Sequence, residues 1–217
     1  MLAARDPKNL KEAEYLLKTK GGSCTSVPTD IRREDQVKGL VTQVKEHYGR
    51  IDILINNAGV MVYGSLDSAT VEDWDKVLDT NLKGAFLCSR EVLPLMLRQG
   101  MGQIINVASG AGKTGFPNLA VYCASKFGLV GFSEALAREV SHTNIIISCL
   151  CPGYVETEML GLFPEDLLKK ISPVKPMVVA EQIVQLIVYP HATERRKGFL
   201  ESAARKGIQW ITRKKSG

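Results

Sequence analysis

The residues best placed to do chemistry are Tyr122 and Lys126, in Tyr122-Cys123-Ala124-Ser125-Lys126, with Ser109 thirteen positions upstream. On a helix, residues four apart stand on one face, so these two would present a phenol and an ammonium side by side. A free phenol has a pKa of about 10 and a free lysine about 10.4. A cation held close favours phenolate and draws the phenol down. Such a phenol gives and takes protons near neutral pH, as carbonyl/alcohol chemistry requires. Ser109 would supply a second hydroxyl to orient the same oxygen. Taken alone, a tyrosine and a lysine at this spacing are equally any exposed helical pair, so the rest of the chain has to decide.

Three other segments bear on the choice. Asp52-Ile53-Leu54-Ile55-Asn56-Asn57-Ala58-Gly59 and Thr80-Asn81-Leu82-Lys83-Gly84 precede the pair, and Cys151-Pro152-Gly153-Tyr154-Val155-Glu156-Thr157 follows it. In this order and spacing the chain resembles the short-chain dehydrogenase/reductase family, from Leu2 to about Val188. The resemblance implies an α/β fold with a doubly wound, Rossmann-like parallel sheet. It implies hydride transfer between NADP(H), with NAD as the alternative, and a small-molecule carbonyl or alcohol.

The family's catalytic set would be Asn81, Ser109, Tyr122 and Lys126. Tyr122 would be the general acid/base, and Ser109 would fix the carbonyl oxygen. Lys126 would lower the tyrosine pKa and, beside Tyr122, hold the nicotinamide ribose. The Asn81 backbone carbonyl would hold a water linking Lys126 to solvent. Asn81 also reads as an asparagine that breaks one helix and begins another. At the cofactor, the resemblance puts Asn57, Ala58 and Gly59 against the adenosine ribose, where small residues let the backbone approach. It puts Pro152, Gly153, the Val155 backbone and the Thr157 hydroxyl at the nicotinamide carboxamide. Asp30 and the Ile31 backbone would meet adenine, although Asp30 reads equally as an N-cap for the helix from Arg33. Asn56 reads as a tie within the sheet.

Cofactor choice turns on Arg5. NAD enzymes hold the ribose hydroxyls with an acidic residue at the end of the second strand. Ala4 stands at the matching position and Arg5 follows it, and a guanidinium suits a 2′-phosphate. NADP(H) is therefore the expectation. The start of the chain departs from the family, because no glycine-rich turn precedes the other motifs. The expectation is one truncated Rossmann-like domain over residues 1–217, lacking the first strand, the glycine turn and the first helix. That turn and helix N-terminus normally hold the pyrophosphate. Losing two or three charge-assisted hydrogen bonds, at about 1.5–3 kcal/mol each, would weaken cofactor binding. The alternative function is thus a catalytically impaired member that acts as a dimerisation partner. Ser109-Gly110-Ala111-Gly112-Lys113-Thr114-Gly115 is no substitute, because a triphosphate loop needs glycine where Val107 stands. Its glycines read as letting a loop run close to the substrate.

Apolar runs of strand length alternate with helix-period segments, the pattern of βαβ units. Expected strands are Cys24–Pro28, Ile51–Asn56, Gln103–Ala108 and Asn144–Leu150. Expected helices are Pro7–Thr19, Arg33–Tyr48, Val71–Asp79, Leu82–Arg98, Val121–Val140 and Ala180–Val188. The resemblance implies a homodimer or homotetramer paired through the fourth and fifth of these. The stretch Glu158–Pro176 is apolar enough to be a substrate lid favouring an apolar carbonyl compound, or a helix packed on the core.

A net charge of +5, spread along the chain until its last third, does not call for nucleic acid. Basic clusters around Arg195, Arg205 and Arg213 read as a solvated helical face. Five cysteines without a C-x-x-C pair, and three scattered histidines, give no metal pattern. Cys149 and Cys151 should share one strand face, as reduced, buried thiols of a cytoplasmic protein. No apolar run approaches the ~18–20 residues of a membrane span.

Overall fold

The computed structural model describes residues 1–190. The basic clusters of the last third lie outside the described residues. Among the described residues there are five strands: β1 (Leu2–Ala4), β2 (Ser26–Pro28), β3 (Ile53–Asn56), β4 (Gly102–Val107) and β5 (Ile145–Leu150). All pairings are parallel, in a two-stranded sheet β1-β2 and a three-stranded sheet β3-β4-β5. The α/β, Rossmann-like expectation holds. No hydrogen-bonded pair joins the two sheets among the described residues.

The helices are α1 (Pro7–Thr19), α2 (Glu34–Tyr48), α3 (Val71–Leu78), α4 (Gly84–Gln99), α5 (Ala120–Glu139), the single turn α6 (Glu165–Leu168) and α7 (Pro176–Val188). Their ends follow local chemistry. The Asp6 carboxylate caps α1 by accepting from the Lys8 and Asn9 amides. Gly49 and Gly100 close α2 and α4 at φ 73° and 74°, where a side chain would strain the backbone. α3 opens on a reciprocal Thr70/Asp73 capping box. Two helix starts differ from the sequence reading by more than one residue. α7 begins at Pro176 rather than Ala180, because proline suits the first helical position. α4 begins at Gly84 rather than Leu82, because Asp79–Lys83 forms a π-helical turn between α3 and α4.

The three-stranded sheet is covered on both faces. On one, Val92 and Met96 of α4, Leu136 of α5 and Val140 just after it pack with Ile104 and Ile145. On the other, Leu186 of α7 packs on Ile105 and Leu150. A polar tie crosses the first layer. Asn56 donates to Asn106 Oδ1 at 2.8 Å and to Ser89 at 3.1 Å, and Asn106 donates to Ser133 at 2.8 Å. Asn56 thus ties the sheet, as its sequence position suggested.

Candidate active site

Helix α5 carries Tyr122 and Lys126 on one face, both buried, against the C-terminal end of β4. The Lys126 ammonium donates to the Val107 carbonyl at 3.0 Å and lies 5.8 Å from the centre of the Tyr122 ring. Burial pushes Lys126 down to about 8. Burial pushes the Tyr122 phenol up, and the Ser109 hydroxyl beside it pulls the other way. The expectation of a phenol lowered by Lys126 is therefore corrected. Desolvation of the phenolate is the largest influence on Tyr122, and Lys126, bonded to the Val107 carbonyl, is not among the groups that lower it.

Asn81 is placed by its side chain. In the π-helical turn its Oδ1 accepts from the Val60 amide at 2.8 Å. Its Nδ2 donates to the Val60 carbonyl at 2.8 Å and to Ser125 Oγ at 2.9 Å. One asparagine thus clamps the loop after β3 to helix α5, behind Lys126. The reading of Asn81 as the break between two helices fits, since the π turn separates α3 from α4.

Ser109 leaves β4 in extended conformation and accepts from the Ala111 amide at 3.2 Å, starting a tight turn over Gly110–Gly112. A Cβ on Gly112 would come within 2.7 Å of the Lys126 carbonyl oxygen. Gly112 therefore serves close packing against the helix that carries the lysine, while Gly110 of the same loop lines the cavity. A Cβ on Gly59 would stand 3.5 Å from the Lys126 ammonium.

These groups open onto a cavity of about 1130 Å³. Asn57, Ala58, Gly59, Ser109, Tyr122, Lys126, Pro152, Gly153, Val155 and Thr157 all line it. Asn81 sits behind the wall. Arg5, Asp30 and Ile31 do not line it. Asp30 is held by Arg32, which donates from Nε and Nη2 at 2.6–3.0 Å and holds the carboxyl below its usual range. It does not cap α2, whose N-cap is Arg33 without a side-chain bond. The Ile31 side chain packs with Val37, Leu87 and Cys88.

A nicotinamide ribose fits the inner end of this cavity. Lysine has three donors, and Lys126 spends one on Val107 while buried at the wall. The glycine beside it leaves the space that a Cβ would fill.

Spacing in the sequence missed the roof. Tyr63 and Tyr154 each meet the Phe163 ring edge to face, with centroids 5.3 and 5.8 Å apart. Phe163 also packs in one cluster with Tyr122, Met61 and Leu119. Asn118, at φ 62°, donates to the Tyr63 hydroxyl at 3.1 Å, and its carbonyl accepts from the Gly64 amide at 2.9 Å. The available signal was asparagine's tolerance of left-handed backbone in a Pro-Asn turn. The excursion over residues 156–173 is pinned at its base, where Glu156 and Val174 exchange backbone bonds with Val174 and Tyr154 at 2.9 Å. It lines the cavity and packs with Tyr122 and Leu119, as the core-packed reading of Glu158–Pro176 expected.

No group of three metal-ligating side chains, and no helix long and apolar enough to cross a membrane, occurs among the described residues. The family described as short chain dehydrogenase matches residues 1–167. The 3-oxoacyl-acyl-carrier-protein reductase of Staphylococcus epidermidis is 36% identical over 151 residues. That match covers 70% of this chain, and the chain spans 62% of the reductase's length. Actinorhodin polyketide ketoreductase with NADPH superimposes with a TM-score of 0.81 at 33% identity, over 85% of this chain and 78% of that one. Xylitol dehydrogenase with NAD+ bound gives a TM-score of 0.70 at 33% identity, over 72% and 60%.

Proposed function

This chain belongs to the short chain dehydrogenase family, and on that premise we propose that it is an oxidoreductase using NADP(H), with NAD as the alternative, on a carbonyl or alcohol substrate. The observation that carries this reading is the burial of Tyr122 and Lys126, with Ser109, at the wall of one cavity formed by the turns at Asn57–Gly59 and Pro152–Thr157. The nicotinamide group supplies or accepts the hydride when bound. The chain's own residues do the rest. Ser109 orients the substrate oxygen by a hydrogen bond, and Tyr122 hands that oxygen its proton in the reducing direction. Lys126 holds the ribose with its two remaining donors. The Asn81 clamp keeps Lys126 and the loop at Gly59 in fixed relation. Asn57, Ala58 and Gly59 flank the dinucleotide on one side, and Pro152, Gly153, Val155 and Thr157 on the other.

Arg5 follows β1, which pairs with β2 two residues before Asp30. A guanidinium there favours a 2′-phosphate. For the substrate, a roof of Met61, Phe116, Leu119, Met159, Leu160 and Phe163 favours a ketone on an apolar chain. That matches the oxoacyl and polyketide names of two relatives better than the polyol name of the third. Phe86 and Phe127, exposed on α4 and α5, support pairing of two copies through these helices. They are also what favours the second reading, a chain that acts only as a dimerisation partner.

Turnover with a panel of ketones, followed by nicotinamide absorbance, tests the proposal. Tyr122→Phe should lower turnover by ~100-fold or more, the scale of general acid catalysis, with an unchanged melting profile. In the same samples NADPH should bind more tightly than NADH, and Arg5→Ala should level them. Turnover retained by Tyr122→Phe would make Tyr122 a structural residue.

A further inference from the structure

Asn118 is the joint between three segments that meet at the cavity. Among the described residues it is the one non-glycine residue with a left-handed backbone, at φ 62°. That conformation is uncommon and persists only where the surroundings hold it. The first segment is helix α5, since Asn118 immediately precedes Leu119, the N-cap residue of the helix that carries Tyr122. The second is the loop that leaves β3. The Asn118 carbonyl accepts from the Gly64 amide at 2.9 Å, and its Nδ2 donates to the Tyr63 hydroxyl at 3.1 Å. That loop is thus held at two points, Val60 by Asn81 and Tyr63–Gly64 by Asn118.

The third segment is the excursion after β5. Its Phe163 is gripped from both sides, by Tyr154 and by Tyr63, each edge to face. Tyr154 is anchored at the pinned base, where its carbonyl accepts from the Val174 amide at 2.9 Å. Tyr63 reaches across from another segment, so its grip depends on where Asn118 holds it. Phe163 is buried and packs with Met61, Leu119 and Tyr122, and all four line the cavity. The bond between Asn118 and Tyr63 is itself exposed. Water competes for such a bond, so its loss bears on the position of the ring more than on global stability.

We propose that Asn118 is a positioning residue for substrate selection: acting through Tyr63 and Phe163, it holds the roof down on the alkyl chain of a ketone bound beside Tyr122. The proposal rests on the oxidoreductase reading above. A chain lying under Phe163 gains dispersion contacts, and these weaken steeply across a gap of less than about an ångström. A ketone too short to reach the roof gains nothing from its height. Asn118 therefore acts on affinity for long-chain ketones and not on proton transfer at Tyr122.

Reduction of acetone and of methyl octyl ketone by the full chain with NADPH tests this. Asn118→Gly keeps the left-handed backbone and its carbonyl bond to Gly64, and removes only the side chain. Relative to acetone, kcat/KM for methyl octyl ketone should fall about 3-fold, the low end for one hydrogen bond because this one is exposed. The loss should lie in KM. Tyr63→Phe should give the same fall, and the two together no more than either. Asn118→Asp should keep the preference of the parent, since aspartate tolerates the left-handed region and accepts from a phenol. Asn118→Ala loses both the bond and that tolerance, and should fall by about 10-fold. In a Phe163→Leu background, which lacks both ring contacts, Asn118→Gly should change nothing.

Equal losses on both ketones would make Asn118 structural and overturn the proposal. So would additive losses from Asn118→Gly and Tyr63→Phe, or an undiminished effect in the Phe163→Leu background. A parent without turnover would count against the oxidoreductase reading alone, because NMR contacts between the Tyr63 and Phe163 rings still decide this one. They should weaken in Asn118→Gly and persist in Asn118→Asp, and contacts unchanged in Asn118→Gly would overturn it.

Discussion

Beneath Tyr122, β4 carries Ile104 and Ile105 at 0% and 1% exposure, with helices on both faces of the sheet. β1 and β2 pair over three residues each, and α1 beside them buries only Leu10 while Tyr15, Leu16 and Leu17 face solvent. Between the two sheets, Ile53 and Ile55 of β3 are 39% and 42% exposed. The contrast extends to polar groups. Around the candidate active site, Asn81, Ser125 and Lys126 are buried and bonded within the set or to its strands. At the end of β1 and β2, Arg5 is exposed and the Asp30 carboxylate is engaged by Arg32. The end that carries Tyr122 and Lys126 is organised by its own packing, and the end expected to meet adenosine is not.

Hydrogen exchange should show the largest effect of this contrast. Amides of β4 and β5 should open only with global unfolding, at ~5–15 kcal/mol for a typical domain, and those of β1 and β2 by local opening near zero cost. Equal protection in both sheets would mean that the halves unfold together, and would break the comparison.

Lys126 gives the next largest. Its pKa in the folded chain is about 8, against an ordinary 10.5. Below about pH 8 both folded and unfolded chains hold the proton, and the penalty for burying the charge is present in full. As pH rises from about 8 toward 10.5, the folded chain releases the proton first, so stability rises with pH. The rise should be ~3 kcal/mol. Lys126→Met should abolish it and stabilise the chain at neutral pH by a smaller amount, since the bond to Val107 goes too. Denaturant melts at a series of pH values would show whether the slope belongs to Lys126.

A pair of glycines sharpens the contrast at the smallest scale. Gly112→Ala places a methyl group against the α5 backbone and should cost ~1–3 kcal/mol, as overpacking does. Gly39, exposed in the middle of α2, meets nothing within 4 Å. Gly39→Ala should therefore gain ~0.5–1 kcal/mol from helix propensity. Thermal melts giving the same sign for both would remove the distinction between a closed and an open region.

Much of the fold was legible because its signals are local. Pro7–Thr19 was read with both ends correct, since proline opens that helix and Gly21 follows its close. Ile104 and Ile105 read as a doubly covered strand because a run without alternation has no solvent face. Of the expected site residues, the turns at Asn57–Gly59 and Pro152–Thr157 do meet Ser109, Tyr122 and Lys126 at one cavity. The N-cap reading of Asp30 failed because its carboxylate is taken up by Arg32, two residues away.

By itself the sequence determined which chemical groups the chain can bring to bear, the order of the strands and helices that carry them, and the placement of Tyr122 and Lys126 on one helical face. Those properties follow from backbone periodicity and turn chemistry, which act over a few residues. Only the tertiary structure decided that burial raises the phenol rather than letting the ammonium lower it. It alone brought Asn81 to Val60 and Ser125 and closed the roof of Tyr63, Tyr154 and Phe163. Desolvation and contact depend on how segments far apart in the chain share volume, and no local pattern encodes that.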